Sequence, residues 1–101
     1  MIRTEIYANR SVEEDIVESL SGLLPDLSYS IVEGVKGKGK AGIRHGTAIW
    51  PEVNVLYIIY SEEKDAALIL QAVQDVKSAF PKEGVKLIQY EVRTLEERST
   101  I

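Results

Sequence analysis

The sequence predicts an α+β domain, one four-stranded antiparallel sheet carrying two helices on a single face. Four segments show the two-residue apolar alternation or the continuous apolar run of strands, and two show apolar residues at helical spacing. They follow one another as strand, helix, strand, strand, helix, strand, in a chain too short for a second domain. At 101 residues and 45% hydrophobic content the expectation is one domain over 1–101, with a core over 1–92 and a polar tail over 93–101.

Ile2, Thr4, Ile6 and Ala8 alternate with Arg3, Glu5 and Tyr7, as in a strand with one face inward. Ser11 and Glu14 have the spacing of a capping box, and Val12, Ile16, Val17, Leu20 and Leu23 then recur at helical intervals until Gly22 to Pro25 stops the run. Glu13, Glu14, Asp15 and Glu18 form that helix's solvated face. The second strand is expected over Leu27 to Val35, with Leu27, Tyr29, Ile31 and Val35 on one side and Ser28, Ser30 and Val32 on the other. Val53 to Tyr60 is almost wholly apolar, which predicts a central strand covered on both faces. Ser61 is positioned to cap a second helix lined by Ala66, Ile69, Leu70, Val73, Val76 and Phe80, and Pro81 ends it. Val85 to Val92 supplies the last strand.

That order is the split βαβ, or ferredoxin-like, arrangement. Right-handed crossovers place strands one and three side by side in the middle, with strands two and three paired as a hairpin. The other sheet face is left uncovered although strands three and four offer it apolar side chains, so it is expected to join copies of the chain.

Composition narrows the function classes. A formal charge of −4 argues against nucleic-acid binding, which needs a broad basic surface. No apolar run approaches the ~18 residues of a membrane helix, and no leader or membrane insertion is expected. With no cysteine there is neither a disulfide framework nor a thiolate metal site, consistent with a cytoplasmic protein.

The sharpest composition break lies between strands two and three. Lys36 to Gly46 holds four of the seven glycines, four of the twelve basic residues and the single histidine. Glycines free the backbone to expose N–H groups, and Lys36, Lys38 and Lys40 place positive charge beside them, a combination suited to an anion such as phosphate. The opposing reading is a solvated hairpin tip. His45 is the one side chain that titrates near neutrality, but with no cysteine and no neighbouring ligand at metal spacing it makes no metal site within one chain. Trp50 before Pro51 reads as packing at the foot of the loop, and Glu62-Glu63 and Glu96-Glu97 as helix-start and tail charges rather than an acid/base pair.

Gly37-Lys38-Gly39-Lys40-Ala41-Gly42 resembles the Gly-x-Gly-basic segment at the base of the long loop in the PII signal-transduction superfamily, and Ile49-Trp50-Pro51-Glu52-Val53 resembles the entry to that family's third strand. With the element order, the resemblance covers roughly residues 1 to 92. It implies a ferredoxin-like homotrimer, active in nitrogen regulation and signal transduction. In such a trimer an adenine nucleotide or similar anionic metabolite sits between subunits, and the loop engages a target protein such as a transporter or enzyme. Gly37, Lys38, Gly39, Lys40, Gly42 and Arg44 would be the ligand-binding residues, and no catalysis is implied. The chain departs from the family in four places, the first being the glycine segment, which is usually one residue longer and contains a Gln where here Ala41 precedes Gly42. Its loop is short and carries no tyrosine for nucleotidylation, Pro81-Lys82-Glu83-Gly84-Val85 stands where a Gly-Asp-Gly-Lys phosphate loop would lie, and Arg93 and Arg98 are the nearest candidates for a C-terminal arginine pair. Three alternatives follow: a ligand-independent interaction module, a small oligomeric ferredoxin-like enzyme using His45 or Tyr60 in a cleft, or a metal-binding trimer resembling the CutA family.

Overall fold

The computed structural model describes residues 1–38 and 52–95. Strand β1 (Ile2–Asn9) is followed by a 3₁₀ turn (Arg10–Val12), helix α1 (Glu13–Leu23), β2 (Ser30–Gly37), β3 (Glu52–Ser61), α2 (Glu63–Ala79) and β4 (Val85–Glu91). The strands form one sheet in the order β2-β3-β1-β4, every neighbouring pair antiparallel. This is the expected ferredoxin-like α+β fold, with β1 and β3 central and β2 paired to β3.

Register separates the two sheet faces. Thr4, Ile6 and Ala8 pair with Ile59, Tyr57 and Val55 on one side and with Gln89, Leu87 and Val85 on the other. These residues share the face beneath the helices, where Ile6, Ala8, Val55, Tyr57 and Ile59 are buried against Val12, Ile16 and Leu20 of the first crossover and Ile69, Ala72, Val73 and Val76 of α2. Burying these apolar surfaces is the main term holding the layers together, at about 25 cal/mol per Å². Two polar groups enter this layer with partners: the Tyr57 hydroxyl donates to the Glu13 carbonyl at 3.0 Å, and Ser19 Oγ donates to the Ala72 carbonyl at 2.9 Å where the helices meet.

Four local expectations are corrected. Ser11 does not cap α1: the chain leaves β1 through the 3₁₀ turn, which Asn9 caps by accepting from the Ser11 N–H at 3.0 Å, and α1 begins only after Val12 with no side-chain cap. Ser61 does not cap α2 either; it is the last residue of β3, and its hydroxyl donates to the Glu62 carbonyl, leaving Glu62 at the boundary. The buried stripe of α2 contains Ala72, while Leu70 and Phe80 are exposed, because α1 packs along the Ala72 side and Leu70 lies one residue round from Ile69.

The fourth correction bears on the loop. β2 begins at Ser30, so Leu27 and Tyr29 lie before it, packed against the core, with the Tyr29 and Tyr57 ring centroids 6.1 Å apart. Val32 pairs with Leu56 and Val35 with Asn54, so Glu33 and Gly34 together oppose one residue of β3. This is a β-bulge, and Gly34 supplies its positive φ of 67°. The extra residue inverts the alternation downstream. Val35 lands on the uncovered face instead of beside Ile31, and Lys36, paired with Val53, turns to the helix side.

Candidate ligand-binding site

Beyond the bulge, β2 and β3 continue as a two-stranded ribbon. β1 stops pairing at Asn9 opposite Asn54, whereas β2 and β3 pair on through Lys36 with Val53 and Gly37 with Glu52. Gly37 therefore ends the second strand past the edge of the four-stranded body, and Lys38 follows it, exposed. Of the six residues expected to bind ligand, Gly37 and Lys38 occupy this ribbon end. Gly39, Lys40, Gly42 and Arg44 lie outside the described residues, as do His45, Trp50 and Arg98.

The turn between α2 and β4 lies at the same end of the sheet. The Asn9 N–H donates to the Gly84 carbonyl at 2.8 Å, and Lys77 Nζ donates to the Glu83 carbonyl at 3.1 Å. Strand order nevertheless sets β2 and β4 on opposite sheet edges, three inter-strand steps or about 14 Å apart. Within one chain, Gly37 and the turn over 81–84 cannot close on a single phosphate. Arg93 is further still: Val92 N–H donates to the Met1 carbonyl at 2.9 Å, which fixes the start of the tail at the far end of β1. The acidic first turn of α1 also borders this end, where Arg10, Ser11, Glu13, Glu14, Asp15 and Glu18 line a cleft whose negative charge opposes an anion.

The uncovered sheet face carries a second group of side chains, drawn together from three strands by register. Tyr60, Arg3 and Tyr90 stand in one cross-strand row, with Ile58, Glu5 and Ile88 in the next and Leu56, Tyr7 and Lys86 in the third. Arg3 Nε donates to Glu5 Oε2 at 2.8 Å, its terminal nitrogen donates to the Tyr60 hydroxyl, and its guanidinium lies 5.4 Å from the Tyr60 ring centroid. The Tyr90 hydroxyl donates to the same Glu5 oxygen at 2.6 Å, and the Tyr7 hydroxyl reaches Oε1 at 3.5 Å. The hydrogen bond from Tyr90, then that from Arg3, holds the Glu5 carboxyl below the usual carboxylate range, and the Glu5 carboxylate in turn raises the Tyr90 hydroxyl. Alternation places Arg3, Glu5 and Tyr7 on one face of β1, but only register reveals that Tyr60 and Tyr90 flank Arg3.

The fold is that of PII-like proteins, to which this chain is similar over most of its length. CPII from Thiomonas intermedia K12, a nitrogen regulatory PII-like protein solved with ADP, AMP and bicarbonate, superposes with a TM-score of 0.70 at 17% identity, over 94% of this chain and 92% of that one. A chain from Thermus thermophilus carrying a PII-like signaling assignment is 28% identical, with a TM-score of 0.57 over 88% and 83% of the two chains. A DUF3240 family protein from Shewanella baltica OS155 gives a TM-score of 0.64 at 18% identity, each chain covered to 97%. No protein-family model matches the sequence, and no curated protein does.

Proposed function

We propose that this chain is a PII-like regulatory protein. It acts in the cytoplasm without catalysis, as a homotrimer assembled through the uncovered sheet face, and binds an adenine nucleotide or a related anionic metabolite between subunits. Gly37, Lys38, Gly39, Lys40, Gly42 and Arg44 contact the phosphates, and the state of their loop controls a target protein, such as a transporter or enzyme. The observation that carries this reading is the two-stranded ribbon delivering Gly37 and Lys38 beyond a body whose fold matches that of an ADP- and AMP-bound protein. Backbone N–H groups of a glycine-rich turn with lysine charge beside them suit a polyphosphate. The separation of Gly37 from the turn over 81–84 favours a ligand shared between copies over one held by a single chain.

Isothermal calorimetry with ATP, ADP and AMP tests the reading. Saturable binding of at least one, with one site per subunit in an oligomer of fixed mass, supports it. No heat from any of the three at millimolar concentration overturns the nucleotide half. A ligand-independent interaction module is the second reading, favoured by the Pro81-Lys82-Glu83-Gly84 sequence of the turn at the sheet end. A partner pull-down that is lost in Lys38→Ala/Lys40→Ala, with no nucleotide binding by the wild type, distinguishes it.

A further inference from the structure

We infer that the Arg3–Glu5–Tyr60–Tyr90 cluster is the recognition key by which further copies of this chain are placed on the uncovered sheet face. The inference rests on the assembly half of the reading above and deepens it by naming the residues that fix the register in which copies join.

An ion pair left in water adds little to the stability of a single chain. Here the pair sits mid-sheet, its side chains 24% and 15% exposed, bound to tyrosines of both neighbouring strands. The Glu5 carboxylate accepts from Arg3 and Tyr90 before any partner arrives, so covering it requires no reorganisation of its bonds. Around it lies an apolar border: Ile88 and Val32 are 38% and 44% exposed, and Leu56 and Ile58 are half-buried. Apolar surface alone drives association without specifying register, whereas the Arg3 N–H groups beyond those bonded to Glu5 and Tyr60 need acceptors once covered, which penalises every arrangement that buries them without one.

Charge selects the partner. Acidic side chains crowd the first turns of both helices, Glu13, Glu14 and Asp15 on α1 and Glu63 and Asp65 on α2, so copies meeting through their helix layers would repel. The sheet face instead presents a cation and an anion side by side, ringed by hydroxyls that both donate and accept. A patch holding both signs complements itself, as identical subunits require. A second copy of this chain is the occupant that fits.

Native mass spectrometry and light scattering across a concentration series test this on the wild type, Arg3→Met, Glu5→Gln, Tyr90→Phe and Ile58→Asp, with circular dichroism confirming the fold of each. The expected result is one oligomeric mass for the wild type and monomer for Ile58→Asp. The three cluster variants should give mixed masses, or an association midpoint raised tenfold or more. Tyr90→Phe removes only one hydroxyl from an exposed ring, so it keeps the test valid should the Arg3 or Glu5 variant fold poorly. Cluster variants that keep the wild-type mass and midpoint while Ile58→Asp dissociates would overturn the key and leave sheet-mediated assembly standing. A monomeric wild type, or an oligomeric Ile58→Asp, overturns the assembly reading itself.

Discussion

Gln89 on β4 donates through Nε2 to the hydroxyl of Thr4 on β1 at 3.1 Å, and the same nitrogen reaches the Ala66 carbonyl in the first turn of α2 at 2.8 Å. Thr4 is fully buried, so this amide satisfies a polar atom within the core and ties β1, β4 and α2 together at one point. Gln89→Leu should cost about 1–3 kcal/mol, the range for leaving a buried polar group unsatisfied. In Thr4→Val/Gln89→Leu the loss should be smaller than the sum of the single losses, because both ends of the bond are removed together. Urea denaturation of the four proteins measures this, and strict additivity would show that the bond carries no coupling.

Tyr57 fills the centre of the core and donates to the Glu13 carbonyl. Burial, followed by the Glu13 charge, raises its hydroxyl above the usual tyrosine value. A raised folded pKa means that the stability tied to this proton is fully present below the unfolded value of about 10 and is lost as pH rises beyond it. Tyr57→Phe should lower stability near neutrality by about 0.5–1.5 kcal/mol, as for one net hydrogen bond. It should also fall less steeply than the wild type above pH ~10. Denaturant midpoints followed into alkaline solution provide the measurement.

Gly34 has φ of 67° inside the β2 bulge, and a Cβ placed there would meet nothing within 4 Å. The cost of Gly34→Ala is therefore one of backbone conformation, about 1–2 kcal/mol for a side chain in the left-handed region, with no packing clash added. Gly34→Asn should be milder, since asparagine enters that region more readily. If the bulge sets which way Lys36 and the following loop face, Gly34→Ala should also weaken nucleotide binding more than its effect on stability accounts for. Thermal melts paired with calorimetry separate the two effects.

The element order, the strand pairing and the helix-covered core were legible because each follows from a periodicity of two or 3.6 residues. The bulge was not. An alternation rule continues through Glu33 and Gly34 without interruption, and a lone glycine in a strand signals a bulge only weakly, so alternation alone puts Val35 on the wrong face. The caps escape the sequence for a similar reason: Ser11 and Ser61 have the right chemistry, but the turn at Asn9 and the extra length of β3 move each helix start by one residue. Gly37 and Lys38 stand out as candidates from composition alone. The tyrosines around Arg3 and Glu5 do not, because they lie on strands distant in sequence and meet only through register.

Glu5 gives an acid-side prediction of opposite sign to that of Tyr57. Its carboxyl is depressed by Tyr90 and Arg3, so the stability it contributes is complete above the ordinary carboxylate value of about 4.3 and is lost as pH falls through the lower folded value. Glu5→Gln should be less stable than the wild type near neutrality, and the two should converge in stronger acid as the wild-type carboxyl also becomes neutral. Denaturation at matched protein concentration, which holds any association term fixed, checks the convergence. A gap that persists unchanged in acid would assign the effect to packing rather than charge.

Lys38 follows the last ribbon residue and is exposed, whereas Lys64 stands in the first turn of α2, after the opposite end of β3. If phosphate is held at the ribbon end, Lys38→Ala removes one charge-assisted contact. ADP binding should weaken by about 1.5–3 kcal/mol, or roughly ten- to a hundredfold. Lys64→Ala alters the net charge equally but from the far end of the sheet, beyond one Debye length of about 8 Å at physiological salt, and should leave the affinity unchanged. Calorimetry at low and physiological ionic strength distinguishes a specific contact from diffuse attraction. A specific contact retains the difference between the two variants in salt, while diffuse attraction lets it collapse. Equal losses in both variants would mean that the nucleotide responds to overall charge alone, and the assignment of Lys38 to the phosphate would fail.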